Sequence, residues 1–204
     1  MVSPSSNPIL ETLVLFGIVF AIQSVLTVLV TAELMLVYFA LALPLDDYPW
    51  TIVTSVYAHM DIGHLVSNSI GLILFGWPIA RATTRVRFHA FFVTAGAIAG
   101  ITQLFVFGAL QIFSGSVIIL GASGGVFALL GYLIAGNRIS DGLATLIDVP
   151  RWVTILVFIG IAIVITWATA SPGAALIAHF TGFVIGLFAG RANLLEPSKS
   201  RGPR

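Results

Sequence analysis

The sequence predicts an all-α protein, a bundle of six transmembrane helices, and three observations carry that prediction. Hydrophobic residues make up 58% of the 204 residues and charged ones only 8%, whereas a soluble domain carries about 25% charged residues. The apolar residues gather into six segments, the tighter ones near the lower limit of the roughly 20 residues that cross a bilayer. With the first end of the chain placed in the cytoplasm, all nine Lys and Arg residues fall on that side, as the positive-inside rule requires.

The first segment covers residues 9–30. A continuation at 33–43 is too short to cross alone, so it either lengthens a tilted first helix or lies at the interface. The second segment covers 64–80, the third 88–108, the fourth 120–136, the fifth 152–170 and the sixth 174–192. Together they are expected to form a single membrane domain over 1–204, with a short polar N-terminus at 1–8 and a cytoplasmic tail at about 193–204. Residues 1–8 hold no Lys or Arg, and a cleaved signal peptide starts with positive charge, so this end is expected to be retained.

Arg81, Arg85 and Arg87 then occupy the inner loop between spans two and three, and Arg138 and Arg151 flank the next inner loop. Arg191, Lys199, Arg201 and Arg204 lie at the inner end of the last span and in the tail, while Asp46, Asp47 and Asp61 lie outside. Adding or removing one span destroys this asymmetry. The expected location is the cell membrane, multi-pass, with both termini cytoplasmic.

Composition also excludes several chemistries. The chain has no cysteine, which removes disulfides, thiolate catalysis and cysteine metal sites. No basic patch exists to hold phosphates, so nucleic acid is not an expected partner.

The residues able to do chemistry are few. Ser123 stands in Gly121-Ala122-Ser123-Gly124-Gly125, near the outer end of span four. His179 stands in Ala178-His179-Phe180-Thr181-Gly182, a few residues into span six. An imidazole at membrane depth is costly and rare. A hydroxyl within about 3.5 Å of such a base is the minimum apparatus for a serine nucleophile. Ala178, Gly182 and Gly186 form a small-xxx-small stripe, which permits close helix contact; packing and chemistry here ask for the same thing.

The segment before span two reads His59-Met60-Asp61-Ile62-Gly63-His64-Leu65-Val66-Ser67-Asn68. On a helix, His64 and Asn68 share one face. As hydrogen-bond donors they suit an oxyanion hole, although His and Asn also serve simply as caps or as glue between membrane helices. His89, beside Arg85 and Arg87 at the opposite end, is expected to be an interfacial surface histidine. Asp46, Asp47, Asp141 and Asp148 read as loop charges. A metal site is not expected: His59 and His64 lack the His-Glu-x-x-His spacing and its glutamate. Paired intramembrane aspartates are missing too, and serine chemistry remains.

In these three motifs and their order, His59-x4-His64-x3-Asn68, Gly121-Ala122-Ser123-Gly124 and Ala178-His179-x2-Gly182-x3-Gly186, the chain resembles the rhomboid intramembrane serine proteases. The likeness covers spans two to six and is to the prokaryotic six-span basic form, archaeal sources included. It implies that Ser123 is the nucleophile and His179 the general base. It also implies that His64, Asn68 and the Ser123 backbone N–H form the oxyanion hole. His59, Gly121, Gly124, Phe127 and Gly182 would support the site. No cofactor or metal is implied, and the expected partners are transmembrane protein substrates and the bilayer itself. A second reading is a non-catalytic relative that binds membrane clients; intact Ser123 and His179 speak against it.

Two departures stand out. Many relatives carry Trp-Arg in the loop after span one, whereas Trp50 is followed here by Thr51. Bacterial relatives often place a tyrosine four residues after the nucleophile; Phe127 can stack on His179 but cannot donate a hydroxyl.

Overall fold

Asn7 and Pro8 start the first helix for familiar reasons. Asn7 Oδ1 accepts the Ile9 N–H at 3.0 Å, and proline, lacking a donor, costs nothing at a first helical position. Helix α1 (Pro8–Leu29) buries Ile9, Thr12, Phe16 and Gln23 along one stripe. Its remaining surface is apolar and outward, with Val14 at 59% and Val28 at 79% exposure. A helix so apolar on its open side suits lipid rather than water. The computed structural model describes residues 7–110, 117–136 and 175–196, with scattered helical positions between 153 and 164.

The chain breaks after Val30, and Thr31 caps a separate helix, α2 (Ala32–Phe39), by accepting the Leu34 N–H at 3.1 Å. The continuation therefore does not lengthen the first helix. It packs against α3 (Thr51–Thr54), where the Thr54 hydroxyl donates to the Tyr38 carbonyl at 2.6 Å and Trp50 Nε1 donates to that of Val37 at 3.3 Å. A 3-10 turn, Ser55–Tyr57, follows. Leu41 and Ile119 exchange both backbone hydrogen bonds, at 2.8 and 2.9 Å, and so tie this loop to the approach to Ser123.

Asp61 caps α4 (Ile62–Ala82) and Thr84 caps α5 (Arg85–Ala109), each through a side-chain oxygen that accepts a backbone N–H of the first turn. Helix α6 (Ser123–Ala135) is the centre of the bundle, packed by α4, α5 and the last described helix, α7 (Leu176–Arg191). Burial on several faces explains why its sequence is apolar all round instead of striped. Helices α1, α4 and α5 are long and apolar enough to cross a membrane, and α6 and α7 are shorter. The 13 residues of α6 rise only ~20 Å at the helical increment, against a hydrocarbon thickness of ~30 Å.

Five of the six expected segments thus coincide with helices, and among the described residues there is no strand, only the isolated Leu41–Ile119 bridge. The fold is all-α, as the sequence predicts. The fifth segment, 152–170, lies outside the described residues apart from its scattered helical positions. Arg138, Asp141, Asp148, Arg151 and the end of the tail lie outside them as well.

His89 is partly exposed near the start of α5 and has a partner: its Nε2 lies 2.8 Å from Glu11 Oε2, which also accepts Arg85 Nε–H at 2.7 Å. Glu11 sits on the face of α1 that meets α5, so the imidazole and the guanidinium share one carboxylate there. Arg87 donates to the Glu196 carbonyl, fastening the turn after α7 to the same end of α5.

Candidate active site

Two helix backbones in direct contact organise this region. Gly182, Gly186 and Gly190 of α7 lie against Gly124, Ala128 and Tyr132 of α6. A Cβ added at Gly182 would stand 2.9 Å from the Gly124 carbonyl carbon, and one at Gly186 only 2.8 Å from that of Ala128. No side chain fits there, which is the physical content of the small-residue stripe. Because Ser123 adjoins Gly124, and His179 precedes Gly182 by about one turn, the contact brings the first turns of both helices together.

The His179 ring, 9% exposed, stacks on Phe127 with centroids 4.4 Å apart and planes 10° from parallel. Phe127 is one turn beyond Ser123 on the same face of α6, so the imidazole is held over the face that carries the hydroxyl. Among the described residues no hydrogen bond joins Ser123 to His179, and His179 Nδ1 is buried without a partner. Catalytic hydrogen bonds are often long without substrate and tighten when it binds.

His64 reaches the same place from α4. Gly121 has φ +137°, a backbone state that side chains disfavour. A Cβ there would also lie 2.7 Å from His64 Cε1 and 2.9 Å from Nε2. The Gly121 N–H donates to the Ser55 carbonyl at 2.9 Å, which holds this turn in place. His64 Nδ1 accepts the Met60 N–H at 3.4 Å. That assigns the ring proton to Nε2, the nitrogen beside Gly121. Asn68, 5% exposed, donates one amide hydrogen to the His64 carbonyl at 3.1 Å and has a second to give.

His59 lies behind this cluster, 1% exposed, with the rings of Phe16 and His64 at 4.7 and 5.2 Å. Burial pushes its imidazole down to about 4, helped by the neighbouring His64, so the ring is neutral. Its two ring nitrogens are buried without partners among the described residues.

Two glutamines that the sequence reading passed over complete the surroundings. Gln23 Oε1 accepts the His59 N–H at 3.0 Å, and Gln103 Oε1 accepts the Ala178 N–H at 2.9 Å. The available signal was a long amide inside an apolar span, where such groups usually hydrogen-bond a neighbouring helix. Among the described residues no group of three His, Cys, Asp or Glu side chains could hold a metal ion.

Three helix N-termini therefore converge, those of α4, α6 and α7. The ladder of α6 begins with Val126 N–H to the Ala122 carbonyl, leaving the N–H groups of Ser123, Gly124 and Gly125 without acceptors inside the helix. Such donors, with the positive end of the helix dipole, favour a developing negative charge.

Comparison with known proteins places the chain in a family. The family model described as Rhomboid domain matches residues 46–195. The chain is 26% identical over 196 residues to the protein named Rhomboid protease GlpG of Haemophilus influenzae, covering 85% of this chain and 96% of that protein. A stretch of 31 residues is 61% identical to the mitochondrial RHOMBOID-like protein 12 of Arabidopsis thaliana, 15% of this chain and 9% of that protein.

Proposed function

This chain belongs to the rhomboid family and is an intramembrane serine protease, and we propose that Ser123 and His179 are its nucleophile and its general base. It is an integral membrane protein whose substrates are transmembrane proteins within the bilayer. The observation that carries the proposal is the glycine-lined contact of α6 with α7, which holds the His179 ring on Phe127, one turn from Ser123.

In the proposed reaction His179 takes the hydroxyl proton as Ser123 Oγ bonds to the substrate carbonyl carbon. The negative charge on the carbonyl oxygen is received by His64 Nε2–H, Asn68 Nδ2–H and the Ser123 N–H, donors that gain strength where water is excluded. Collapse breaks the carbon–nitrogen bond, and His179 returns its proton to the leaving amine. Water then attacks the acyl-enzyme with His179 again as base, and the hydroxyl of Ser123 is restored. His59, neutral and packed behind His64, supports the donor ring, and Gly121, Gly124 and Gly182 allow the close approaches.

The site opens toward the outer side of the cell membrane in this reading, with both termini cytoplasmic. The support for this side is the placement of all nine Lys and Arg residues opposite Asp46, Asp47 and Asp61 under six spans. A helical substrate hides its carbonyls in internal hydrogen bonds. Substrates are therefore transmembrane segments with helix-weakening residues near their outer end and small residues at the cleavage position.

The test is cleavage of a model transmembrane substrate in reconstituted vesicles. Ser123→Ala is expected to insert and fold normally but leave the substrate whole. Equal cleavage by Ser123→Ala and the unmodified chain would remove Ser123 from the mechanism.

A further inference from the structure

Gln103 lies in the membrane-crossing part of α5, 1% exposed, yet its side chain acts on a helix 75 residues away. The backbone ladder of α7 starts at His179, whose N–H reaches the Ala175 carbonyl at 2.9 Å. The N–H groups ahead of it have no acceptor within the helix. Ala175, at the cap position, supplies no side-chain hydrogen bond. In lipid an unmet backbone donor is costly. Gln103 Oε1 removes that cost for Ala178 at 2.9 Å, doing from another helix what a serine or aspartate cap does locally.

The consequence is positional, because Ala178 is bonded to His179. Phe127 fixes the face of the imidazole against α6, but a stack of two flat rings resists sliding and rotation weakly. The hydrogen bond from Gln103 adds a directional anchor on the turn that bears the ring. Helix α5 is a firm base for that anchor: Gly124 of α6 is pressed against Ala99, where an added Cβ would lie 2.7 Å from the alanine Cβ. The serine-bearing helix and the anchor of the histidine-bearing turn are thus referenced to one helix, and Gln103 is one turn from Ala99.

We propose that Gln103 is a positioning residue that sets the height and rotation of His179 relative to Ser123. The inference rests on the reading of those two residues as the catalytic pair.

The test compares Gln103→Leu, which removes the acceptor, with Gln103→Glu, whose carboxyl stays protonated when buried and keeps an acceptor oxygen. Turnover and KM for a transmembrane substrate, the rate of fluorophosphonate labelling and thermal unfolding are measured on each. For Gln103→Leu the expected result is kcat and labelling rate lower by about 10–100-fold, the scale of a small misplacement, with KM changed less than about twofold, because substrate binding is untouched. Gln103→Glu is expected to recover most of both rates.

A folded Gln103→Leu protein with unchanged kcat overturns the proposal, as does one that loses thermal stability but no turnover. A folded Gln103→Glu protein as slow as Gln103→Leu overturns it also, since the acceptor is then not the cause. Should Gln103→Leu not fold, Gln103→Asn takes its place with the same expectations, because it keeps the amide but withdraws it by one methylene. Ser123→Ala is run alongside. If it cleaves normally the catalytic pair itself is wrong and the proposal falls with it; if it is inert while Gln103→Leu is fully active, only the role of Gln103 falls.

Discussion

Replacing Gly182 by alanine adds one methyl group at the place where α6 and α7 touch. Its Cβ would stand 2.9 Å from the Gly124 carbonyl carbon and 3.1 Å from the Gly124 Cα, with the carbonyl oxygen nearer still. Carbon atoms rest at about 3.5–4.0 Å from one another and at about 3.3 Å or more from a carbonyl oxygen, so the helices have to part by about 1 Å, set by the oxygen. Helix α6 cannot recede. Behind Gly124 stands Ala99, and an added Cβ at Gly125 would already lie 2.8 Å from the Phe92 ring. Helix α7 moves instead, taking His179 with it. Overpacking of this kind costs about 1–3 kcal/mol, and a shift near 1 Å in a catalytic group costs about 10²-fold in rate. The expected result for Gly182→Ala is a kcat lower by about 10–100-fold on the folded fraction, measured as substrate cleavage in vesicles beside thermal unfolding. Gly17→Ala is the control: a Cβ there meets nothing within 4 Å, so activity is unchanged and the helix gains about 0.5–1 kcal/mol. Full activity in Gly182→Ala would refute the claim that the α6–α7 contact sets the catalytic geometry.

Three further outcomes are expected. Asn68→Ala slows cleavage by about 10²–10³-fold without abolishing it, because other oxyanion donors persist; no change in rate removes Asn68 from that role. Stability falls as pH drops from about 6.5 to about 4: an unfolded histidine takes its proton there while buried His59 does not. The unfolded state then binds more protons, with an effect of at most about 3 kcal/mol at 1.36 kcal/mol per unit. His59→Asn flattens this slope in denaturation profiles, and an equally steep slope contradicts the account. In intact cells a membrane-impermeant thiol reagent labels Asp46→Cys but not Thr84→Cys, a clean comparison because the chain has no other cysteine; labelling of both from outside defeats the proposed topology.

Much of this was legible in the sequence because lipid imposes simple rules. Apolar runs mark helices. Ser123 and His179 stand out because ionisable and small polar groups are expensive among so many apolar ones. Even the close contact of α6 with α7 could be read, since only glycines permit it. The separate α2 was harder to see: the break after Val30 carries no glycine or proline, and Thr31 alone announces the new helix. The pairing of His89 with Glu11 and the work of Gln23 and Gln103 join residues 78, 36 and 75 positions apart. Such bonds depend on which helices become neighbours, and no local pattern encodes that. The unusual feature was visible all the same, in glutamines set within apolar spans.

The central claim, that Ser123 is a nucleophile activated by His179, is tested most directly by a fluorophosphonate probe on the purified protein in lipid. Attack by an activated serine oxygen on phosphorus displaces fluoride and leaves a stable adduct on that oxygen. The expected result is one adduct, located at Ser123 by peptide mass mapping, missing in Ser123→Ala and nearly missing in a folded His179→Ala protein. Labelling that persists in Ser123→Ala, or that proceeds at full rate in His179→Ala, would contradict the account.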